Sequence, residues 1–207
     1  MADAIPIIDV WTQHISGTPP GTNPEGENVF RNYGMLEVFH HGTDPAKMID
    51  AMDRAGVRAA LMAGDNEAVA QAQQRHPGRI FGEYHASPVH IMKAVRELEH
   101  YVRERGFVAL RIVCGHLGWP WTEEMIAVAW KHKNVWIDTS AHVPKHYPPA
   151  FVHFMKTFGK DKVCFATDYP LLQWERVLGE VDALGLSEEV KHRFLHDNAA
   201  RAFNLKV

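Results

Sequence analysis

The stretch Ile7-Ile8-Asp9-Val10-Trp11-Thr12-Gln13 decides how the rest of the chain is read. Short and β-branched, it predicts a buried strand over Ile5 to Trp11, with Trp11 and Gln13 delivered at its carboxyl end. Similar runs recur at Val57 to Met62, Arg79 to Tyr84, Phe107 to Cys114, Val135 to Asp138 and Val163 to Ala166. Helical patterns alternate with them. Asp44-Pro45 supplies an N-cap and a first-turn proline, Met48, Ile49 and Met52 form one stripe, and Gly56 stops it. Asp65 caps a second helix, Ser87-Pro88 opens a third, and Thr122 caps a fourth. Pro148-Pro149 begins another, with Phe151, Phe154, Met155 and Phe158 expected on one face. The last helices run over Leu172 to Leu184, then from caps at Ser187 and Asp197. Between the first strand and Asp44 lies a long stretch broken by Pro19, Pro20, Gly21, Pro24 and Gly26. Its length marks it as a lid or binding loop.

Apolar strands alternating with amphipathic helices imply a parallel sheet, either doubly wound or a (β/α) barrel. In both, chemistry gathers at the carboxyl ends of the strands. The 207 residues are 46% hydrophobic and 23% charged with net charge -3, which suits one globular domain over residues 1–207. The charge pattern excludes a nucleic-acid partner, and the apolar runs are too short for a membrane span of ~18 residues. Cys114 and Cys164 sit in apolar runs as lone thiols, so the expectation is a reducing cytoplasm and not a disulfide framework.

The strand ends bring together Asp9, Trp11 and Gln13; Tyr84-His85; Gly115-His116; Asp138-Thr139-Ser140 with His142; and Thr167-Asp168-Tyr169. Imidazole and carboxylate are what a zinc site or a general acid/base pair requires. A single histidine at a strand end is more often a polar residue near solvent, which is the plain alternative for His85 and His142. His116 stands out because Gly115 and Gly118 flank it and Trp119-Pro120-Trp121 follow. Asp168 stands out because Ala166-Thr167-Asp168-Tyr169-Pro170 sets a carboxylate just past a buried strand. Trp119 and Trp121 read equally as core caps or as substrate platforms.

These residues resemble the amidohydrolase superfamily, and more narrowly the branch of aminocarboxymuconate-semialdehyde decarboxylase and related aromatic-acid decarboxylases and hydrolases. The matching stretches are Ile8-Asp9-Val10, Gly106-Phe107-Val108-Ala109-Leu110-Arg111, Gly115-His116-Leu117-Gly118, Asp138-Thr139-Ser140-Ala141, Ala166-Thr167-Asp168-Tyr169-Pro170 and Asn198-Ala199-Ala200-Arg201, in family order. The resemblance implies a barrel with a metal at its mouth, held by two strand-1 histidines, a strand-5 histidine and a strand-8 aspartate. It gives His116 the role of a strand-6 acid/base and Asp168 that of the strand-8 ligand. Trp11 and Gln13, however, stand where the strand-1 histidines would be, and neither is a good zinc ligand. Zinc, with His116 and Asp168 as candidate ligands, is therefore not the leading expectation. A metal-free acid/base mechanism, or a weakly held ion using His85 or His142, stays open.

A second departure is a missing segment. The Gly-Phe…Leu-Arg and Gly-His-Leu-Gly stretches abut between Gly106 and Gly118, in keeping with 207 residues against the about 250 of such barrels. If Phe107 to Gly115 is one strand, Arg111 and His116 lie about 16 Å apart along it at ~3.3 Å per residue. Their side chains also leave opposite faces, so Arg111 is set aside. Six strands cannot close with the geometry of eight. The fold class expected is thus α/β, a truncated TIM-barrel-like fold of about six parallel strands and metal-dependent-hydrolase type. Its uncovered edge calls for a homodimer or larger assembly.

Two functions follow. One is an amidohydrolase-related hydrolase or non-oxidative decarboxylase of a small carboxylated or cyclic substrate. There His116 is the acid/base with Asp168, and Trp11, Gln13, His85, His142 and Trp119 line the substrate. The other is a catalytically inactive relative kept as a binding or scaffold protein. A junction near Ile112-Val113, with function belonging to a longer protein, is a third reading.

Overall fold

The computed structural model describes residues 4–84, 91–108 and 112–207, with the backbone alone for 91–95 and 112. His85, Arg111 and the Ser87-Pro88 helix start lie outside the described residues. Strands β1 (Ile7–Gln13), β2 (Val57–Ala63) and β3 (Ile80–Gly82) form one parallel sheet in that order. Strands β4 (Ile112–Cys114), β5 (Val135–Asp138) and β6 (Val163–Cys164) form a second. The chain beyond β6 joins the two. Val10 N–H donates to Phe165 O (3.0 Å), Asp168 N–H to Trp11 O (3.0 Å), and Gln13 N–H to Tyr169 O (2.7 Å). The spatial order is therefore β3-β2-β1-β6-β5-β4, and all carboxyl ends share one rim. This is the expected α/β, TIM-barrel-like architecture with an incomplete barrel.

The helices are α1 (Pro24–Asn32), α2 (Leu36–His41), α3 (Pro45–Ala55), α4 (Asn66–Arg75), α5 (Ile91–Glu104), α6 (Thr122–Lys131), α7 (Pro149–Lys156), α8 (Trp174–Leu178), α9 (Glu188–His192) and α10 (Asn198–Phe203). Local signals set several of them. The Asp44 carboxylate accepts from Ala46 N–H, Asp65 from Ala68 N–H and Ser187 from Val190 N–H. Gly56 ends α3 in the left-handed conformation at φ 74°. Their apolar faces meet the strands in one large core that includes Met52, Ile80, Phe151, Phe165 and Trp174. None of the described helices is long and apolar enough to cross a membrane.

Four local expectations are corrected. The long stretch after β1 is not a loop, because α1 and α2 fill it. Asn23 accepts from Gly26 N–H and Pro24 starts α1, a capping signal hidden among the breakers. Thr122 is no cap: it is the first residue of α6, and its hydroxyl is buried without a hydrogen bond. Leu172 to Leu184 is not one helix, since α8 ends at Gly179 and a short 3-10 turn follows (Val181–Leu184). Phe158 lies past the end of α7, exposed, against the Trp130 ring.

The run from Phe107 to Cys114 serves two neighbours. Val108 N–H donates to Gly82 O of β3 (3.1 Å), whereas Ile112, Val113 and Cys114 pair with Val135, Trp136 and Ile137 of β5. Phe107 lies directly on Gly82: a Cβ there would come within 2.3 Å of the phenyl ring. Replacing Gly82 with alanine should therefore overpack this junction by about 1–3 kcal/mol, a fall in melting midpoint of roughly 2–12 °C. Thermal unfolding followed by circular dichroism measures it, and an unchanged midpoint would mean that Phe107 does not dock on β3.

Candidate active site

The rim is built by four adjacent strands. β1 contributes Trp11 and Gln13, the turn after β4 contributes His116, β5 and its exit contribute Asp138 and Ser140, and the chain after β6 contributes Asp168. Trp11 stands between the two leading candidates. Its indole N–H donates to Asp168 Oδ1 (3.0 Å), and its ring meets the His116 ring edge-on at a 6.4 Å centroid separation. Gln13 Nε2 donates to the same Asp168 oxygen. Asp168 is buried and His116 is exposed at the opening.

His116 is oriented by a relay that sequence reasoning did not assign. Asp138 Oδ1 accepts from Ser140 N–H (2.9 Å), from His116 N–H (3.2 Å) and from the Ser140 hydroxyl. The Ser140 oxygen lies 2.6 Å from His116 Nδ1. Because the hydroxyl proton is directed to Asp138, Ser140 accepts from Nδ1–H. The neutral ring then keeps its lone pair at Nε2. The backbone is held in an uncommon conformation at the same places. His116 (φ 58°), Leu117 (φ 59°), Ala141 (φ 60°) and Asp168 (φ 72°) are four of the five non-glycine residues in the left-handed region among those described. Such conformations are sparsely populated and persist only where surrounding bonds over-determine them.

The carboxyl groups here are pushed upward. Burial raises Asp168 above its ordinary value, against the opposing effects of Gln13, His116 and Trp11. Burial likewise raises Asp138, despite its Ser140 and His116 partners. Glu83, directly after β3, was not singled out from sequence. Burial raises it to about 8, with the Asp138 and Asp9 charges adding to the effect. The residue is half-buried, but its Oε2 is closed off from water and has no hydrogen-bond partner. Its only sequence signal is a carboxylate at a strand exit.

The remaining candidates are more scattered. His142 is half-buried and its Nδ1 meets Ser140 O at 3.1 Å, placing it beside the relay. Trp119 is exposed past the His116 turn. His85 lies outside the described residues.

Residues 109–205 match the amidohydrolase family. The fold is shared with an uncharacterized TIM-barrel protein from Bordetella bronchiseptica (TM-score 0.73, 17% identity, 96% of this chain and 98% of that one). It is shared with 5-carboxyvanillate decarboxylase from Sphingomonas paucimobilis (0.71, 14%, 98% and 100%). A Pseudomonas putida protein assigned as a 2-pyrone-4,6-dicarboxylic acid hydrolase is similar as well (0.60, 14%, 99% and 99%). At these identities the likeness speaks to the fold. No curated protein matches the chain. The amidohydrolase match over residues 109–205 agrees with the resemblance drawn from the motifs.

A metal of the kind this family implies does not fit the residues at the rim. An indole N–H has no lone pair to offer, and the Gln13 amide presents its NH₂ group. Both donate to Asp168 Oδ1, so neither side chain is turned to offer a ligand beside that carboxylate. Among the described residues, the sole group of metal-spaced ligands is His192, His196 and Asp197, which does not belong to this rim.

Glu83 supplies a test of the electrostatics. Its carboxyl is raised from 4.5 to about 8 in the folded chain. The stability it contributes is present in full below its unfolded value and is lost as pH rises through about 8. Glu83→Gln removes that titration. The melting midpoint of the variant minus that of the wild type should grow by several degrees between pH 5 and pH 9, in favour of the variant. An equal difference at both pH values would show that Glu83 is not buried as described.

Proposed function

We propose that this chain is an amidohydrolase-related enzyme acting on a small carboxylated or cyclic substrate, with His116 as acid/base and Asp168 as its electrostatic partner. The observation that carries the reading is the Asp138-Ser140-His116 relay, which fixes an accepting nitrogen at an exposed position beside a buried carboxylate. That nitrogen can take a proton from water attacking an ester-like carbonyl. Once protonated, it can deliver the proton to a ring carbon as the bond to a carboxyl group breaks, with carbon dioxide leaving and the bonding pair retained by the ring. Both directions need a base that is aimed and stabilised when charged, and Asp168 supplies a carboxylate for the imidazolium. Neither route passes through a metal.

The known activities of proteins with this fold suggest the first substrates to try: hydroxylated benzoates, 5-carboxyvanillate and pyrone dicarboxylates. Turnover is read as carbon dioxide release or as lactone opening, on protein with and without chelator. His116→Asn should lower kcat/KM by about 10²–10⁴-fold, the usual contribution of a positioned acid/base. Asp168→Asn should reduce kcat by at least tenfold. Ser140→Ala should lower kcat more than it changes KM and displace the pH profile, because the ring loses the partner that fixes its tautomer. Circular dichroism checks the fold of each variant. No turnover by the wild type, with ligand binding kept in full by both His116→Asn and Asp168→Asn, would leave the binding or scaffold alternative in place of catalysis.

We further propose that the chain works as a homodimer or larger homo-oligomer. Trp119, Trp121, Trp130 and Phe158 are each more than 60% exposed, an unusual concentration of large apolar side chains in water. Light scattering at rising concentration should show an assembly, and a monomer throughout would refute it.

A further inference from the structure

The chain between α9 and α10 is a single π-helical turn, Arg193–Asp197. Such turns are rare and concentrate at functional positions. Its geometry has a specific effect on three side chains. In an α-helix of 3.6 residues per turn, a residue five positions on is rotated about 140° away. In a π turn, whose hydrogen bonds run from i to i+5, that residue returns to nearly the same side. His192, His196 and Asp197 therefore come together. His192 Nδ1 lies 2.9 Å from Asp197 Oδ2, and His196 Nδ1 lies 2.9 Å from Asp197 Oδ1. The two imidazole rings meet edge-on with centroids 5.5 Å apart.

We propose that His192, His196 and Asp197 form a surface site for a divalent transition-metal ion such as zinc. Candidate ligand atoms of the three residues all lie within 4.8 Å of one another. Zinc bonds of about 2.0–2.2 Å to nitrogen and oxygen set tetrahedral ligands about 3.3 Å apart, so the two 2.9 Å histidine–aspartate spacings need to open by only a few tenths of an ångström, and the ligand atoms of the two histidines already lie within 4.8 Å. Two imidazoles and one carboxylate leave coordination positions open to water. The nearby cations are engaged elsewhere. Arg193 pairs with Asp161 and with Glu189 (2.7 Å), and Lys191 pairs with Asp182. On the opposite side of the turn, Phe194 and Leu195 are buried, and Phe194 O accepts from Phe165 N–H (3.1 Å). The scaffold beneath the three ligands is thus anchored to the strand that continues β6.

The test uses tag-free protein titrated calorimetrically with zinc after removal of adventitious metal. One ion per chain with micromolar affinity is expected, together with a rise of several degrees in melting temperature at saturating zinc. His192→Gln and Asp197→Asn, both at solvent-accessible positions, should each weaken binding at least tenfold and abolish the thermal shift. His116→Asn should change neither. Should His196→Gln unfold the turn, the other two variants still decide the matter. Affinity weaker than millimolar, binding untouched by His192→Gln and Asp197→Asn, or binding lost on His116→Asn would each overturn the proposal and leave the cluster as plain histidine–aspartate ion pairs.

Discussion

The structure depends on one buried carboxylate. Asp9, in the middle of β1, is fully enclosed and accepts from Trp11 N–H (3.0 Å), Thr167 N–H (3.2 Å), the Thr167 hydroxyl and the Trp174 indole (2.6 Å). An unpartnered carboxylate in such a place would be severely destabilising, and four donors are what make it tolerable. The balance is still visible: burial raises Asp9 to about 7, and the same four donors pull against it. These bonds pin β1 to the strand continuing from β6, the seam where two three-stranded sheets become one wall. The seam also presents its two strands to the rim side by side, with Trp11 and Asp168 in reach of each other. Tyr169, stacked flat on Trp174 at 4.0 Å, closes the outside.

Beyond the seam, dipoles hold the rim carboxylate. Here two N–H donors from β1 converge on a single oxygen of Asp168. Hydrogen bonds of this kind hold a carboxylate in place without quenching its charge, and Asp168 remains able to respond to a proton on His116. The left-handed conformations at His116 and Asp168 sit where these bonds are densest. Each is maintained by its neighbours: Asp168 by Trp11 and Gln13, His116 by Asp138 and Ser140.

Much of this was legible in the sequence, for identifiable reasons. Strands buried between helices read as short apolar runs, and Val135 to Asp138 shows this to the residue. Asp44, Gly56, Asp65 and Ser187 mark helix ends through local chemistry that tertiary contacts do not override. The helices after β1 were hidden because Pro24 and Gly26 serve as a first-turn proline and an early helical residue, whereas breakers are commonly read as loop. Thr122 shows the opposite error, since a good capping residue was drawn inside the helix and buried. The roles of Ser140 and Glu83 depend on distances between strands far apart in the chain, which spacing along one strand does not encode. Asp197 looks like a cap in sequence, but the π turn bends its carboxylate toward two histidines, and no side-chain cap forms.

The rim is held by neighbouring strands because of the order in which they lie. The spatial order β3-β2-β1-β6-β5-β4 places the seam in the middle and the Phe107 to Cys114 run at its two ends, with Val108 on β3 and Ile112 on β5. His116, Ser140, Asp138, Asp168, Trp11 and Gln13 come from β4, β5, β6 and β1, an unbroken arc of neighbours. Every bond that orients His116 or Asp168 is made within the arc. The site is thus built along the wall formed by adjacent strands and not across the barrel.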